Sequence, residues 1–196
     1  ATAITLVPEM AKTAAHVTML QRSPTYVVSR PAADRIANTL RRKFGPKVAY
    51  PLTRWKNVLL QQFFFRMARR RPEKVGRKLL EMVREELGPD YDVGTHFTPR
   101  YNPWQQRLCL VPDSDLFEAI RRGKASVVTG EIARFTATGL ELKSGETLEA
   151  DIVVTATGLK LQVLSDVAVT VDGKGQDFSK TMTYKGMMVS DVPNLC

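Results

Sequence analysis

Two cysteines, Cys109 and Cys196, are all that the 196 residues hold, too few and too far apart to suggest a disulfide framework. Only two histidines, His16 and His96, stand beside them, and no metal-ligand spacing results, so no metal site is expected. Long apolar runs are missing: none approaches the roughly 20 residues of a membrane span. No signal-peptide pattern opens the chain, and no internal repeat or low-complexity segment interrupts it. A reducing, cytoplasmic setting is the default expectation.

Acidic residues are the scarcer charge, 20 against 29 Lys and Arg, for a formal net charge of +9. Basic residues crowd between Arg35 and Arg84, including Arg69-Arg70-Arg71, Lys74, Arg77 and Lys78. Solvated helix faces are the favoured explanation; the remainder is shared between peripheral contact with a membrane surface and nucleic acid. An apolar share of 43% allows a sizeable core in one large domain or one and a half small ones.

Ala1 to Ala15 reads as an alanine-rich helix with no cap before it, and His16-Val17-Thr18-Met19-Leu20 as a buried parallel strand. Helix then strand is the second half of a βαβ unit, so the chain reads as truncated at its amino end. From about Asp34 to Leu87 the pattern is helical. Leu52, Trp55, Leu59, Leu60 and Phe63 to Phe65 recur at helix spacing, as do Val75, Leu79, Leu80, Met82, Val83 and Leu87. Pro72 separates two helices, and Gly88-Pro89-Asp90 stops the second. Phe63-Phe64-Phe65 cannot all face one core, so one ring is left for another domain or a lipid-like surface, with the core the favoured reading. Asp115 to Arg122 reads as a short helix and Ala125 to Thr129 as a strand. A hairpin of Ile132–Thr136 and Gly139–Leu142 follows, with a turn at Ser144-Gly145-Glu146. Asp151 to Gly158 reads as a buried strand ending in small residues.

Chemistry concentrates in Arg100-Tyr101-Asn102-Pro103-Trp104-Gln105-Gln106-Arg107, a loop by its Asn-Pro dipeptide, leading into the apolar run Leu108 to Val111. Arg107 cannot lose its proton, and beside aromatic rings it is expected to be partly desolvated and to need an anion. A second arginine, Arg22, follows the strand ending at Leu20-Gln21, with the Ser23 hydroxyl next to it. In a dinucleotide-binding fold an arginine there accepts the extra phosphate of NADP. By position alone, a plain surface arginine explains Arg22 equally well.

Three stretches together resemble the class B flavoprotein monooxygenases, which include the Baeyer–Villiger and flavin-containing monooxygenases. They are Gln21-Arg22-Ser23-Pro24, Tyr101-Asn102-Pro103-Trp104 with Gln106-Arg107, and Asp151 through Ala156-Thr157-Gly158. The resemblance covers essentially the whole chain. It is nearest to the ethionamide-activating group through His96-Phe97-Thr98-Pro99-Arg100 and Tyr184-Lys185-Gly186-Met187-Met188. It implies an α/β fold: a three-layer, Rossmann-like NADPH domain with a mostly parallel sheet, a helical insertion and a short return into an FAD domain. The implied segments are 1–30 and 96–158 for the NADPH domain, 31–95 for the insertion and 159–196 for part of the FAD domain.

The implied activity uses FAD and NADPH to insert one oxygen atom of O2 into a ketone, or to oxidise sulfur or nitrogen in a sulfide or thioamide, through a flavin C4a-peroxide. The family's catalytic arginine matches Arg107, which would stabilise that peroxide and help hold the nicotinamide. Ala1-Thr2-Ala3 would end a Gly-x-Gly-x-x-Gly/Ala fingerprint, with Thr2 near the phosphates and Ala3 at the third small position. Arg22 and Ser23 would hold the 2′-phosphate. Gln106 replaces the lysine frequent in the family, which leaves NADPH selectivity mainly to Arg22. Ala156, Thr157 and Gly158 would let backbone approach both cofactors. The upstream FAD fingerprint is missing, so these residues alone are expected to bind no FAD. The competing readings are an NADP-dependent reductase domain without oxygenation, and a basic module for nucleic acid or membrane.

Overall fold

The computed structural model describes residues 2–159, 167–192, 194 and 195. Ala1, residues 160–166, Pro193 and Cys196 therefore lie outside the described residues, with the parts of the expected fingerprint and of segment 159–196 that fall on them. The chain divides into two compact units, Ala1–Ala156 and Thr157–Cys196.

In the first unit, helix α1 (Thr2–Met10) turns into strand β1 (Val17–Gln21), followed by β2 (Tyr26–Arg30) and the long helix α2 (Arg35–Arg70). Helices α3 (Pro72–Leu87) and α4 (Val93–Phe97) lead to β3 (Leu108–Pro112), α5 (Asp115–Arg121) and β4 (Ala125–Thr129). Strands β5 (Ile132–Thr136), β6 (Gly139–Leu142) and β7 (Thr147–Glu149) close the unit as an antiparallel meander. The second unit holds two small hairpins, β8 (Thr170–Val171) with β9 (Lys174–Gly175) and β10 (Thr183–Tyr184) with β11 (Met188–Val189).

The fold is α/β. Strands β1 and β4 pair in parallel from Val17↔Ala125 to Gln21↔Thr129, and β2 and β3 pair in parallel from Tyr26↔Leu108 to Arg30↔Pro112. Parallel strands need both faces covered, and helices cover these. Helix α1 buries Ile4 and Val7, one turn apart, and packs on β1 and β3; α3 packs on β2 and α5 on β3 and β4. One core joins both pairs, with Met19, Val27, Val83, Phe97, Val111 and Phe117 among its members. Among the described residues the two pairs are not hydrogen-bonded to each other, so the expected single, mostly parallel sheet is here two parallel pairs.

The two expected helices form, with Pro72 opening α3 and Gly88 (φ 89°) ending it. Asp34 caps α2 by accepting from the Ala37 N–H at 3.0 Å. Gly45 interrupts that helix at φ 70°, a conformation open to glycine, and Pro46 follows it.

Three expectations need correction. Asp151 to Gly158 forms no strand, and Ile152 is 78% exposed, because an apolar run becomes a buried strand only where a neighbouring strand pairs with it. The Phe63-Phe64-Phe65 run is not core: Phe63 and Phe65 are exposed, and only Phe64 is half-buried, beneath the Arg30 guanidinium at 5.4 Å. Leu52, Trp55, Leu59 and Leu60 also share helix spacing without finding a partner, since α2 packs mainly on α3. No described helix is long and apolar enough to cross a membrane.

Candidate functional site

Ligands of α/β proteins gather at the carboxyl ends of parallel strands. At that edge here, β1 ends in Gln21 and β4 in Thr129. The Gly130 N–H donates to the Gln21 carbonyl at 2.9 Å. The Gln21 side-chain amide donates to Thr129 Oγ1 at 3.0 Å and to the His96 carbonyl at 2.7 Å. Arg22 and Ser23 come next, both exposed. Helix α1 packs on β1, β3 and α5 and starts at Thr2. Thr2 is exposed, while Ala3 is half-buried against the core, as a small residue in a packing position should be.

Three residues after Arg22, Thr25 meets the arginine loop. Thr25 Oγ1 donates to the Arg107 carbonyl at 3.0 Å, Tyr101 Oη donates to it at 2.9 Å, and the two hydroxyls lie 2.6 Å apart. Residues 76 and 82 positions apart are thereby joined, and the arginine loop is tied to the chain three residues after Arg22. The Tyr101 ring meets Tyr26 edge to face at 5.7 Å. Burial, then the neighbouring Tyr101, pushes the Tyr26 phenol above its ordinary value, so it stays neutral. Gly76 of α3 makes room there: a Cβ on it would lie 2.9 Å from Tyr26 Oη.

The loop itself is a tight turn. The Gln105 N–H donates to the Asn102 carbonyl at 3.0 Å, and Gln105 Oε1 accepts from the Asn102 N–H at 2.9 Å. Within it Trp104 takes φ 67°, rare for a bulky residue, and its ring sits 6.2 Å from Phe65. Pro103 is buried. Gln106 and the Arg107 side chain are both exposed. Partial desolvation of Arg107 was expected; these residues grip its carbonyl and leave the guanidinium in water.

Among the described residues neither Arg22 nor Arg107 forms an ion pair. Glu131, just beyond β4, is bound to Lys143, which holds its carboxyl below the usual range, with a smaller contribution from Arg22. Ala156 is half-buried at the end of the first unit. Thr157 and Gly158 (φ 94°) belong to the second unit and are exposed. The sequence pointed to the two arginines but not to Thr25, Gln21 or Thr129, whose partners lie far along the chain; His96 carried no role of its own.

Two cofactors can be weighed against these residues. An exposed, unpaired guanidinium with a hydroxyl beside it at a strand's carboxyl end suits a phosphate, so Arg22 and Ser23 fit a phosphorylated dinucleotide. No cradle for a flavin is formed by the described residues around these positions: Arg107, Thr157 and Gly158 are all exposed.

Over all 196 residues the chain is 53% identical to the FAD-containing monooxygenase EthA of Mycobacterium tuberculosis. It is 51% identical over the same length to the probable FAD-binding monooxygenase AlmA of Acinetobacter baylyi, and 47% to the EthA of Mycolicibacterium smegmatis. The chain spans about 40% of the length of these relatives. No family model and no solved structure matches it.

Proposed function

We propose that this chain is the NADPH-binding and loop-arginine part of a class B flavoprotein monooxygenase, a reading supported by its identity, along its whole length, to FAD-containing monooxygenases. On this reading residues 1–30 and 96–158 build a Rossmann-like NADPH domain, 31–95 its helical insertion, and 159–196 part of an FAD domain. The observation that supports this reading is the Thr25–Tyr101–Arg107 junction, which ties the main chain at Arg107 to the segment three residues after Arg22.

Arg22 and Ser23 bind the 2′-phosphate; a charged hydrogen bond of this kind contributes about 1.5–3 kcal/mol. Thr2 lies by the pyrophosphate at the start of α1, Ala3 keeps that helix close, and Gln106 supplies a neutral donor in place of lysine. Ala156, Thr157 and Gly158 give the backbone room beside the cofactors. Arg107 is the fixed cation beside the redox centre. FAD, bound with the rest of the protein, would supply electron transfer from NADPH and the activation of O2 that puts one oxygen atom into the substrate. The substrate is a small ketone, sulfide or thioamide.

The test uses the complete protein with NADPH, isotopically labelled O2 and either a cyclic ketone or a thioether. One labelled oxygen in a lactone or a sulfoxide supports the reading, and the product tells the two chemistries apart. NADPH consumption without labelled product would favour a reductase; no NADPH oxidation would remove the proposal.

A second reading concerns α2. It carries ten basic and no acidic residues, and Trp55, Leu59 and Phe63 stand exposed on it. That chemistry suits peripheral contact with an anionic lipid surface. Sedimentation of the complete protein with phosphatidylglycerol vesicles, and not with phosphatidylcholine vesicles, is the expected result; equal behaviour would overturn it.

A further inference from the structure

Gln21 and Thr129 are register partners at the ends of β1 and β4. His96 Nδ1 lies 3.0 Å from the same Thr129 hydroxyl that accepts the Gln21 amide. A hydroxyl has one proton to give. With Gln21 donating to it, the Thr129 hydroxyl can give its own proton to Nδ1, which places the imidazole proton on Nε2. The ring is half-buried, 6.0 Å from Tyr91. Gln21, Thr129 and His96 come from segments 75 and 108 positions apart, and none has a role in the reading above.

We propose that Gln21, His96 and Thr129 are positioning residues for the dinucleotide site: they fix the end of β1 so that Arg22 aims at the 2′-phosphate, and tie that aim to the segment carrying Arg107. The inference rests on Arg22 as the phosphate arginine. Arg22 follows directly on Gln21, the last residue of β1, so what holds Gln21 sets where the chain enters Arg22. Gln21 is held twice, through its side chain and through its carbonyl, which accepts from Gly130. The peptide leading into Arg22 is therefore fixed, although the Arg22 side chain itself is exposed. Pre-set backbone lowers the entropy lost when that long side chain settles on a phosphate. The other end of the network is the main chain of His96, two residues before Thr98 and the start of the arginine loop. Thr98 Oγ1 in turn donates to the Val93 carbonyl at 2.9 Å, so α4 and the loop move together.

The test measures KM for NADPH and for NADH in the complete enzyme for His96→Ala, Thr129→Val and the conservative His96→Asn and Thr129→Ser. The first two should raise the NADPH KM about tenfold, against less than about threefold for NADH, with kcat little changed. The conservative variants, which keep a hydrogen-bonding group, should retain the preference. The ratio of the two KM values is internal to each sample, so partial loss of folded protein leaves it unaffected. Equal rises for both nucleotides, or an unchanged preference in both His96→Ala and Thr129→Val, would overturn the inference and leave Arg22 its role. A parent enzyme with no preference for NADPH would remove the Arg22 reading and this one with it.

Discussion

The hydroxyls of Thr25 and Tyr101 stand 2.6 Å apart and both reach the main-chain carbonyl of Arg107. Two hydroxyls bring two protons to three contacts, so at any moment one of the three contacts is without a proton. Tyr101→Phe leaves Thr25 on the carbonyl, and Thr25→Val leaves Tyr101. Each single change should cost about 1 kcal/mol in urea unfolding, and the double change more than the sum, because only then is the carbonyl stripped of both donors.

Gly76 allows α3 to lie against this junction. Alanine there would place Cβ 2.9 Å from Tyr26 Oη, and that ring is buried and braced edge to face on Tyr101. The tyrosine has little freedom to retreat. Gly76→Ala should therefore destabilise by about 1–3 kcal/mol despite alanine's better helix propensity. The companion Gly76→Ala, Tyr26→Phe, which removes the clashing oxygen, should recover part of the loss in thermal unfolding.

How far the fold could be read in advance follows from the range of the signal. Helix α3 and the β5–β6 hairpin announce themselves because their periods and turn residues are local. Strands β2 and β3 do not, since Tyr26–Arg30 and Leu108–Pro112 are five-residue runs whose pairing joins segments far apart. Ile152-Val153-Val154 misled for the same reason: apolar composition invites a strand, but only a partner makes one. At the site, Arg22 and Arg107 were legible through position and charge. Thr25, Thr129 and Gln21 are ordinary polar residues until the fold brings their partners to them.

Arg22→Ala in the complete enzyme should weaken NADPH much more than NADH. The loss expected from one charged hydrogen bond, about 1.5–3 kcal/mol, corresponds to roughly 10- to 150-fold in KM for NADPH. Equal losses for the two nucleotides would take the 2′-phosphate away from Arg22.

Asp92 makes α4 sensitive to acid. It caps the helix by accepting from the Thr95 N–H at 3.0 Å. Hydrogen bonds from the Thr95 side chain and backbone hold its carboxyl below the usual value against some burial, with a smaller contribution from His96. A lowered folded value means the stabilisation is present above the unfolded value, about 3.9, and is lost as pH falls through the folded value. Protection of the Thr95 amide, measured against its intrinsic exchange rate, should therefore fall below about pH 4. Asp92→Asn, which can still cap but does not titrate, should flatten that response.

Arg107→Ala separates the side chain's role from the loop's. The junction holds the Arg107 carbonyl and not its guanidinium, so alanine leaves the grip of Thr25 and Tyr101 intact. Unfolding free energy should change little, since the side chain is exposed and, among the described residues, unpaired. If the guanidinium is the fixed cation of the oxygenation step, its loss should lower labelled product by about 100-fold or more, the usual scale for removing a preorganised donor. NADPH oxidation should continue, because Arg22 and Ser23 remain, with its electrons going to O2 as hydrogen peroxide. Arg107→Lys keeps the charge but not the planar fork, and should fall between parent and alanine. Normal oxygenation by Arg107→Ala would remove Arg107 from the chemistry, and loss of NADPH oxidation together with product would make it a nucleotide-binding residue instead.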